Sequence, residues 1–229
     1  MAEFTIHELE GMRYVDVHLN HELVRVESGA LSYLTGNIAV HSQLVPSVGG
    51  LVASLMADEA VYRPTYTGTG VITLESSLGG FHVFELNGES WILEKGAFWA
   101  CEGSIDLSFY RERMMTALWA GEGLVYLQTR VRGRGKVVVT TRGPVEEISL
   151  TEGQEIVAEG QYVVCRTADI SFKIRRPTKN FWGRFTSGEQ FVRVYQGPGR
   201  VLLNPTPYWR YKLFAKHAAG SDLPSRAMD

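Results

Sequence analysis

The sequence predicts an all-β fold assembled from three copies of one unit of about 65 residues. Three observations predict it. A G-x-G followed by a β-branched run recurs as GTGVITL from Gly68, GRGKVVV from Gly133 and GPGRVLL from Gly197, at steps of 65 and 64 residues. Glycine fills 24 of 229 positions, so one match carries nothing, but three at near-constant spacing are a repeat signature. Apolar and polar residues alternate with period two between glycine-rich turns, the pattern of half-buried antiparallel strands. No helix of ordinary length fits before the C-terminus.

The elements follow in order. Val15, Val17 and Leu19 alternate with Asp16, His18 and Asn20. LNHELVRVESGA from Leu19 matches LNGESWILEKGA from Leu86 without a gap, and ISLTEGQEIVAEGQ supplies the third version, so that Gly29, Gly96 and Gly160 align. Each glycine precedes an apolar run (ALSYL, AFWAC, QYVVC), and copies two and three continue into DLSF at Asp106 and DISF at Asp169. A short apolar segment comes next: Leu51, Val52, Leu55 and Met56; then Met114, Met115, Leu118 and Trp119; then Phe181, Trp182 and Phe185. That spacing gives one face of a one- or two-turn helix. An acid closes each segment, at Glu59, Glu122 and Glu189, and the G-x-G strand completes the unit. In the third copy Ile170, Phe172 and Ile174 alternate with Ser171, Lys173 and Arg175. After Pro205 and Pro207, Tyr208 to Ala219 predicts a short C-terminal helix ahead of a frayed tail.

No linker separates the units, and a unit of this size rarely buries its own apolar face alone. The expectation is therefore one β domain over residues 1–229, with repeats at about 15–78, 79–143 and 144–204 and a C-terminal segment at 205–229. The three copies are expected to share one core around a pseudo-threefold axis.

Composition narrows the function classes. Hydrophobic residues make up 45% and charged residues 21% of the chain, ordinary for a globular protein. A net charge of −2 gives no global attraction to nucleic acid or anionic membranes, so any such attraction must be local. Two cysteines are too few for a disulfide framework, and no stretch reaches the length of a transmembrane span or a signal-peptide core. The expected location is the cytoplasm, and the expected assembly a homo-oligomer.

The motifs carry a family resemblance. ESGALSYLTGNI (residues 27–38), the glycines before LVASL, GEGLVYLQTRVRGRGKVVV (121–139) and SGEQFVRVYQGPGRVLL (187–203) resemble the mitochondrial biogenesis family. That family takes its name from altered inheritance of mitochondria protein twenty-four. The resemblance runs from about residue 15 to 203. It implies an all-β fold of the tryptophan RNA-binding attenuation protein superfamily, close to double-stranded β-helices, and it implies no established activity. After the last G-x-G strand the chain departs from the pattern, with LNPTPYWRYKLF where a glutamine-threonine pair is expected.

Candidate chemistry is sparse. The six histidines, His7, His18, His21, His41, His82 and His217, lack the H-x-H spacing of a metal site. His18 and His21 lie three apart, on opposite faces of a strand unless a turn intervenes. Cys101 and Cys165 each lie five residues after an aligned glycine, where the first copy has Leu34, so both read as buried, unlinked core thiols. GRGKVVV lacks the third glycine and the following helix of a dinucleotide site. Glu59, Glu122 and Glu189 recur once per copy and either converge on the axis or accept backbone N–H groups in their own turns.

The strongest lead is a basic stripe. Arg130, Arg132, Arg134 and Lys136 alternate with Val131, Gly133, Gly135 and Val137, which places four cations on one strand face as a candidate anion-binding site. Lys173, Arg175, Arg176, Lys179 and Arg184 form a second basic cluster, and Tyr208, Trp209, Tyr211, Leu213 and Phe214 an aromatic segment suited to a membrane interface or a subunit contact. No catalytic residue, metal or cofactor is expected. The reading is a non-enzymatic scaffold or a ligand- or partner-binding protein. Its alternatives are a small metal- or carboxylate-dependent enzyme and a binder of nucleic acid or anionic lipid.

Overall fold

The computed structural model describes residues 1–41, 63–111, 127–175, 192–209 and 213. Within them the chain is all-β. The first third holds β1 (Glu3–Leu9), β2 (Met12–Val26), β3 (Leu31–His41) and β4 (Thr65–Ser77). The middle holds β5 (Gly80–Leu93), β6 (Phe98–Glu102), β7 (Ile105–Arg111) and β8 (Leu127–Thr141). The last third holds β9 (Glu146–Leu150), β10 (Glu155–Ala158), β11 (Val163–Thr167), β12 (Ser171–Arg175), β13 (Val192–Gln196) and β14 (Gly199–Leu203). The expected alternation is present: Val15, Val17 and Leu19 are buried while His18 and Asn20 face solvent.

Strand pairing is antiparallel and follows one order in each third. The second strand bonds the third, and the third bonds the first: β3 on β4 on β2, β6 and β7 on β8 on β5, and β11 on β14 on β9. A smaller sheet, β10 on β13 on β12, continues the last third in the reverse direction of that list. Two seams join the thirds. Val24–Val26 of β2 pair with Ala100–Glu102 of β6, and Trp91–Leu93 of β5 pair with Cys165–Thr167 of β11.

Individual backbone hydrogen bonds recur from third to third. The turn after the first strand is closed by Ala30 N–H to Glu27 O (3.1 Å), Ala97 to Glu94 (2.9 Å) and Tyr162 to Glu159 (3.1 Å). The third strand then reaches that turn through Glu75 N–H to Ala30 O (2.8 Å), Thr140 to Ala97 (2.8 Å) and Asn204 to Tyr162 (2.7 Å). Within the first strand, the backbone N–H of Asn20, Asn87 and Thr151 donates to the side chain of Glu22, Glu89 and Gln154. The left-handed position in that bend is held by His21 (φ 62°), Gly88 (φ 112°) and Gly153 (φ 80°). His21 sits within β2 at the register shift between Asn20 and Glu22.

This register moves three of the correspondences expected from sequence. The bend in the last third is one residue longer, Thr151–Gln154 against Asn87–Glu89. Gly160 consequently sits one residue ahead of the place held by Gly29 and Gly96, and does not share their left-handed conformation. For the same reason Cys165 takes the place of Ala100, each directly after a bulge, and Arg166 takes the place of Cys101. DLSF and DISF are displaced by two positions, since Leu107 opposes Val131 where Phe172 opposes Tyr195. The G-x-G strands agree better. Gly70, Gly135 and Gly199 have φ of 155°, 141° and 146°, and Gly68 and Gly133 match at 144° and 135°, while Gly197 lies outside that region.

The apolar interior is divided into three clusters. The first gathers Val15, Val17, Ile72 and Leu74 with Ala100 and Val138 across the first seam. The second gathers Leu86, Trp91, Val131, Val137 and Val139 with Cys165 and Leu202 across the second seam. The third holds Leu150, Val163, Ile170, Tyr195 and Val201. β8 separates the first two, with Val138 facing one cluster and Val137 and Val139 the other, so this long strand is fixed from both sides. The expected helical segments at 51–56, 114–119 and 181–185 lie outside the described residues, as does most of the expected C-terminal helix.

Candidate functional site

Alternation along β8 does place Arg130, Arg132, Arg134 and Lys136 on the face opposite buried Val131 and Val137. Their surroundings then divide them. The Arg130 guanidinium stacks over the Tyr110 ring at 4.7 Å, and its Nε is buried without a hydrogen-bond partner. Lys136 Nζ donates to the Ala2 carbonyl at 3.4 Å. Arg132 and Arg134 remain exposed. Asp106 opposes Arg132 and Glu85 opposes Lys136, so carboxylates line the stripe from both neighbouring strands. The face thus presents two exposed arginines, not four free cations. Of the second basic cluster Lys173 is exposed, and Arg176, Lys179 and Arg184 lie outside the described residues.

A polar cavity of about 460 Å³ opens where the middle and last thirds meet. Glu94, Lys95, Thr141, Arg142, Arg193 and Asn204 are among its lining residues. Glu94 organises it: Oε1 accepts from Gln128 Nε2 at 3.0 Å, and Oε2 lies 3.0 Å from Arg193 Nη1. Asn204 is buried, accepts the Arg142 N–H at 2.9 Å, and donates to the carbonyls of Gly143 and Pro144 at 3.1 and 3.2 Å. Those bonds fix the backbone from which Arg142 projects. Among the described residues, the lining thus holds three basic residues and one acidic residue. The corresponding turn of the first third carries the same type of ion pair, Glu27 with Arg63 at 2.9 Å. Burial pushes the Glu27 carboxyl up against the opposing pull of Arg63, and burial lowers Arg63.

The seams hold a guanidinium that repetition in the sequence does not reveal. Arg25 Nη1 donates to the carbonyls of Gly103 (3.0 Å) and Ile105 (2.8 Å), and Arg166 Nη1 donates to Ile170 O (3.0 Å). Arg25 opposes Cys101, whereas Ile92 opposes Arg166. The charge is supplied by the first strand at one seam and by the second strand at the other.

Cys101 and Cys165 are free and fully buried. Burial pushes the Cys101 thiol up to about 12 and raises Cys165 well above the ordinary thiol value. His18 and His21 are exposed, and His7 Nε2 lies 3.1 Å from Asp16 Oδ2. Among the described residues, no three histidine, cysteine or carboxylate side chains come close enough to hold a metal ion. Glu59, Glu122 and Glu189 lie outside the described residues, so their convergence is not part of this site. Trp209 and Leu213 expose their side chains.

Comparison with known proteins places this architecture. A family model described as mitochondrial biogenesis AIM24 matches residues 4–206. An uncharacterized protein of Streptococcus pyogenes serotype M6 is 24% identical over 211 residues, covering 87% of this chain and 84% of that protein. The X-ray crystal structure of a Streptococcus pyogenes protein has a TM-score of 0.73 and 21% identity, covering 96% of this chain and 100% of that one. At that identity the likeness concerns the fold, not the function.

Proposed function

The chain belongs to the AIM24 mitochondrial biogenesis family, and we propose that it works as a binding scaffold and not as an enzyme, holding a small anion in the cavity beside Glu94. The three-copy arrangement about a pseudo-threefold axis, the kinship with attenuation-protein folds, assembly into a homo-oligomer and a cytoplasmic location belong to the same proposal. The recurring turn and strand hydrogen bonds support the three copies. Two free, buried thiols fit a reducing compartment. No helix among the described residues is long and apolar enough to cross a membrane.

One observation carries the ligand class. Among the described residues, the lining of the cavity holds three basic residues, Lys95, Arg142 and Arg193, and one acidic residue, Glu94, which pairs with Arg193 at 3.0 Å. Charge-assisted hydrogen bonds from a positioned arginine favour phosphate or carboxylate groups. Calorimetry and thermal unfolding with inorganic phosphate and with citrate test this. The native protein is expected to bind one of them and to melt at a higher temperature in its presence. Arg142→Ala is expected to weaken that binding at least about tenfold, the scale of one charge-assisted contact. No binding by the native protein, or equal binding by the variant, overturns the reading.

The exposure of Arg132 and Arg134 favours a second reading, nucleic acid on the β8 face. With two phosphate contacts the log–log salt dependence of binding is expected to have a slope of about −2. A double change of Arg132 and Arg134 to alanine is expected to abolish it while leaving the fold intact, because exposed strand positions contribute little to stability. A salt-independent signal, or one that survives the double change, removes this face from consideration.

A further inference from the structure

Gly160 is a glycine for a different reason from Gly29 and Gly96. Those two have φ of 82° and 75°, a left-handed conformation that side chains rarely adopt. Gly160 lies outside that region, so its backbone does not call for glycine. The turn hydrogen bonds place it level with Ser28 and Lys95, positions that carry side chains in the first two thirds.

What requires the glycine is the guanidinium of Arg193. A Cβ on Gly160 would stand 2.3 Å from Arg193 Nε, 2.5 Å from Cζ and 2.9 Å from Nη2, whereas one on Gly29 or Gly96 would meet nothing within 4 Å. Arg193 of β13 opposes Ala158 of β10, and its side chain crosses the residue two places further on. From there Nη1 lies 3.0 Å from Glu94 Oε2, and Cζ lies 5.8 Å from the centre of the Phe172 ring. Gly160, Arg193 and Glu94 all line the polar cavity. The bare Cα, the ring and the carboxylate thus hold the guanidinium in one place.

We propose that Gly160 is a positioning residue for this cavity: its missing side chain leaves the space in which Arg193 crosses the turn and reaches Glu94 of the middle third. For its effect on binding the inference rests on the anion reading above. A methyl group at 160 displaces the guanidinium, the far end of a flexible side chain, so the fold survives while the ion pair is lost. An arginine held in this way offers a phosphate or carboxylate a fixed fork of donors.

Calorimetry on Gly160→Ala, Arg193→Ala and the double variant, with inorganic phosphate and with citrate, tests this. Gly160→Ala is expected to weaken binding of the anion that the native protein takes by at least about tenfold, the scale of one charge-assisted contact. The double variant is expected to bind no more weakly than Arg193→Ala alone, because a residue that acts through Arg193 then has nothing to act on. Native affinity in Gly160→Ala overturns the proposal. So does a further loss in the double variant, which would mean that the methyl group obstructs the ligand itself. Should Gly160→Ala fail to fold, the double variant is expected to fold, since the obstruction is gone; a double variant that also fails overturns the proposal. A crystal structure of Gly160→Ala separates this role from the anion reading. Arg193 displaced from Glu94 is expected, and Arg193 still paired with Glu94 overturns the role whatever the anions do. If the native protein binds neither anion and the variant's Arg193 is displaced, the anion reading fails while the positioning role stands.

Discussion

Gly68→Ala is expected to destabilise the protein by more than about 3 kcal/mol, enough to unfold a marginal domain at physiological temperature. Two costs combine. Gly68 has φ of 144°, a conformation that an L side chain rarely adopts, and strain of this kind is worth about 1–3 kcal/mol. A Cβ there would also stand 2.1 Å from Asn37 O and 3.0 Å from the Cα of Ile38, both on the neighbouring β3 backbone. Because the obstruction is backbone in a paired strand, it cannot rotate away as a side chain would. Gly133 repeats the arrangement against Ser104 O at 2.6 Å and Ile105 Cα. Denaturant unfolding of Gly68→Ala and Gly133→Ala, beside an exposed control such as Ser149→Ala, measures the effect. A loss below about 1 kcal/mol in either glycine variant would contradict the close approach.

Alkaline solution is expected to destabilise the fold through its buried thiols. The unfolded chain ionises cysteine near pH ~8.5, while in the native state Cys101 is held neutral up to about 12. The folded value is raised, so the stabilising contribution is complete below the unfolded pKa and disappears as pH rises towards the folded one. At about 1.4 kcal/mol per pH unit, Cys101 alone accounts for a loss of about 2–3 kcal/mol by pH ~10.5. Cys165 is shifted in the same direction by its burial and adds to the slope. Denaturant curves at several pH values between neutrality and ~10.5 should therefore steepen for the native sequence and flatten for a Cys101→Ala, Cys165→Ala double variant. The Tyr195 hydroxyl, raised chiefly by burial, contributes to both proteins and does not separate them. Parallel slopes, or rapid labelling of both thiols in the native state, would show that neither is sealed in the interior.

What was legible in the amino acids follows from short-range rules. Alternation at Val15, Val17 and Leu19 identifies a strand because side-chain direction in an extended chain has period two, and those three residues are buried. Gly70, Gly135 and Gly199 share one conformation because that φ is a local property that glycine tolerates. The thiols read as core residues because the aligned place in the first copy holds Leu34, and they are buried even though Cys165 occupies the place of Ala100 and not that of Cys101.

Everything that makes a site depends on contacts between residues far apart in the chain. The basic stripe is four cations in the sequence. In space, Tyr110 stacks on Arg130, Ala2 holds Lys136, and Asp106 and Glu85 arrive from strands on either side. Cross-strand neighbours are chosen by pairing register, which local periodicity does not encode. The cavity gathers Lys95, Arg142 and Arg193, which share no motif and meet only because β5, β8 and the last third converge there. One added residue in the bend at Thr151–Gln154 shifts the equivalences of Gly160 and Cys165, and glycine spacing conceals it. The seam arginine comes from opposite strands at Arg25 and Arg166, because two opposed strands can each carry a guanidinium to the backbone carbonyls of the seam.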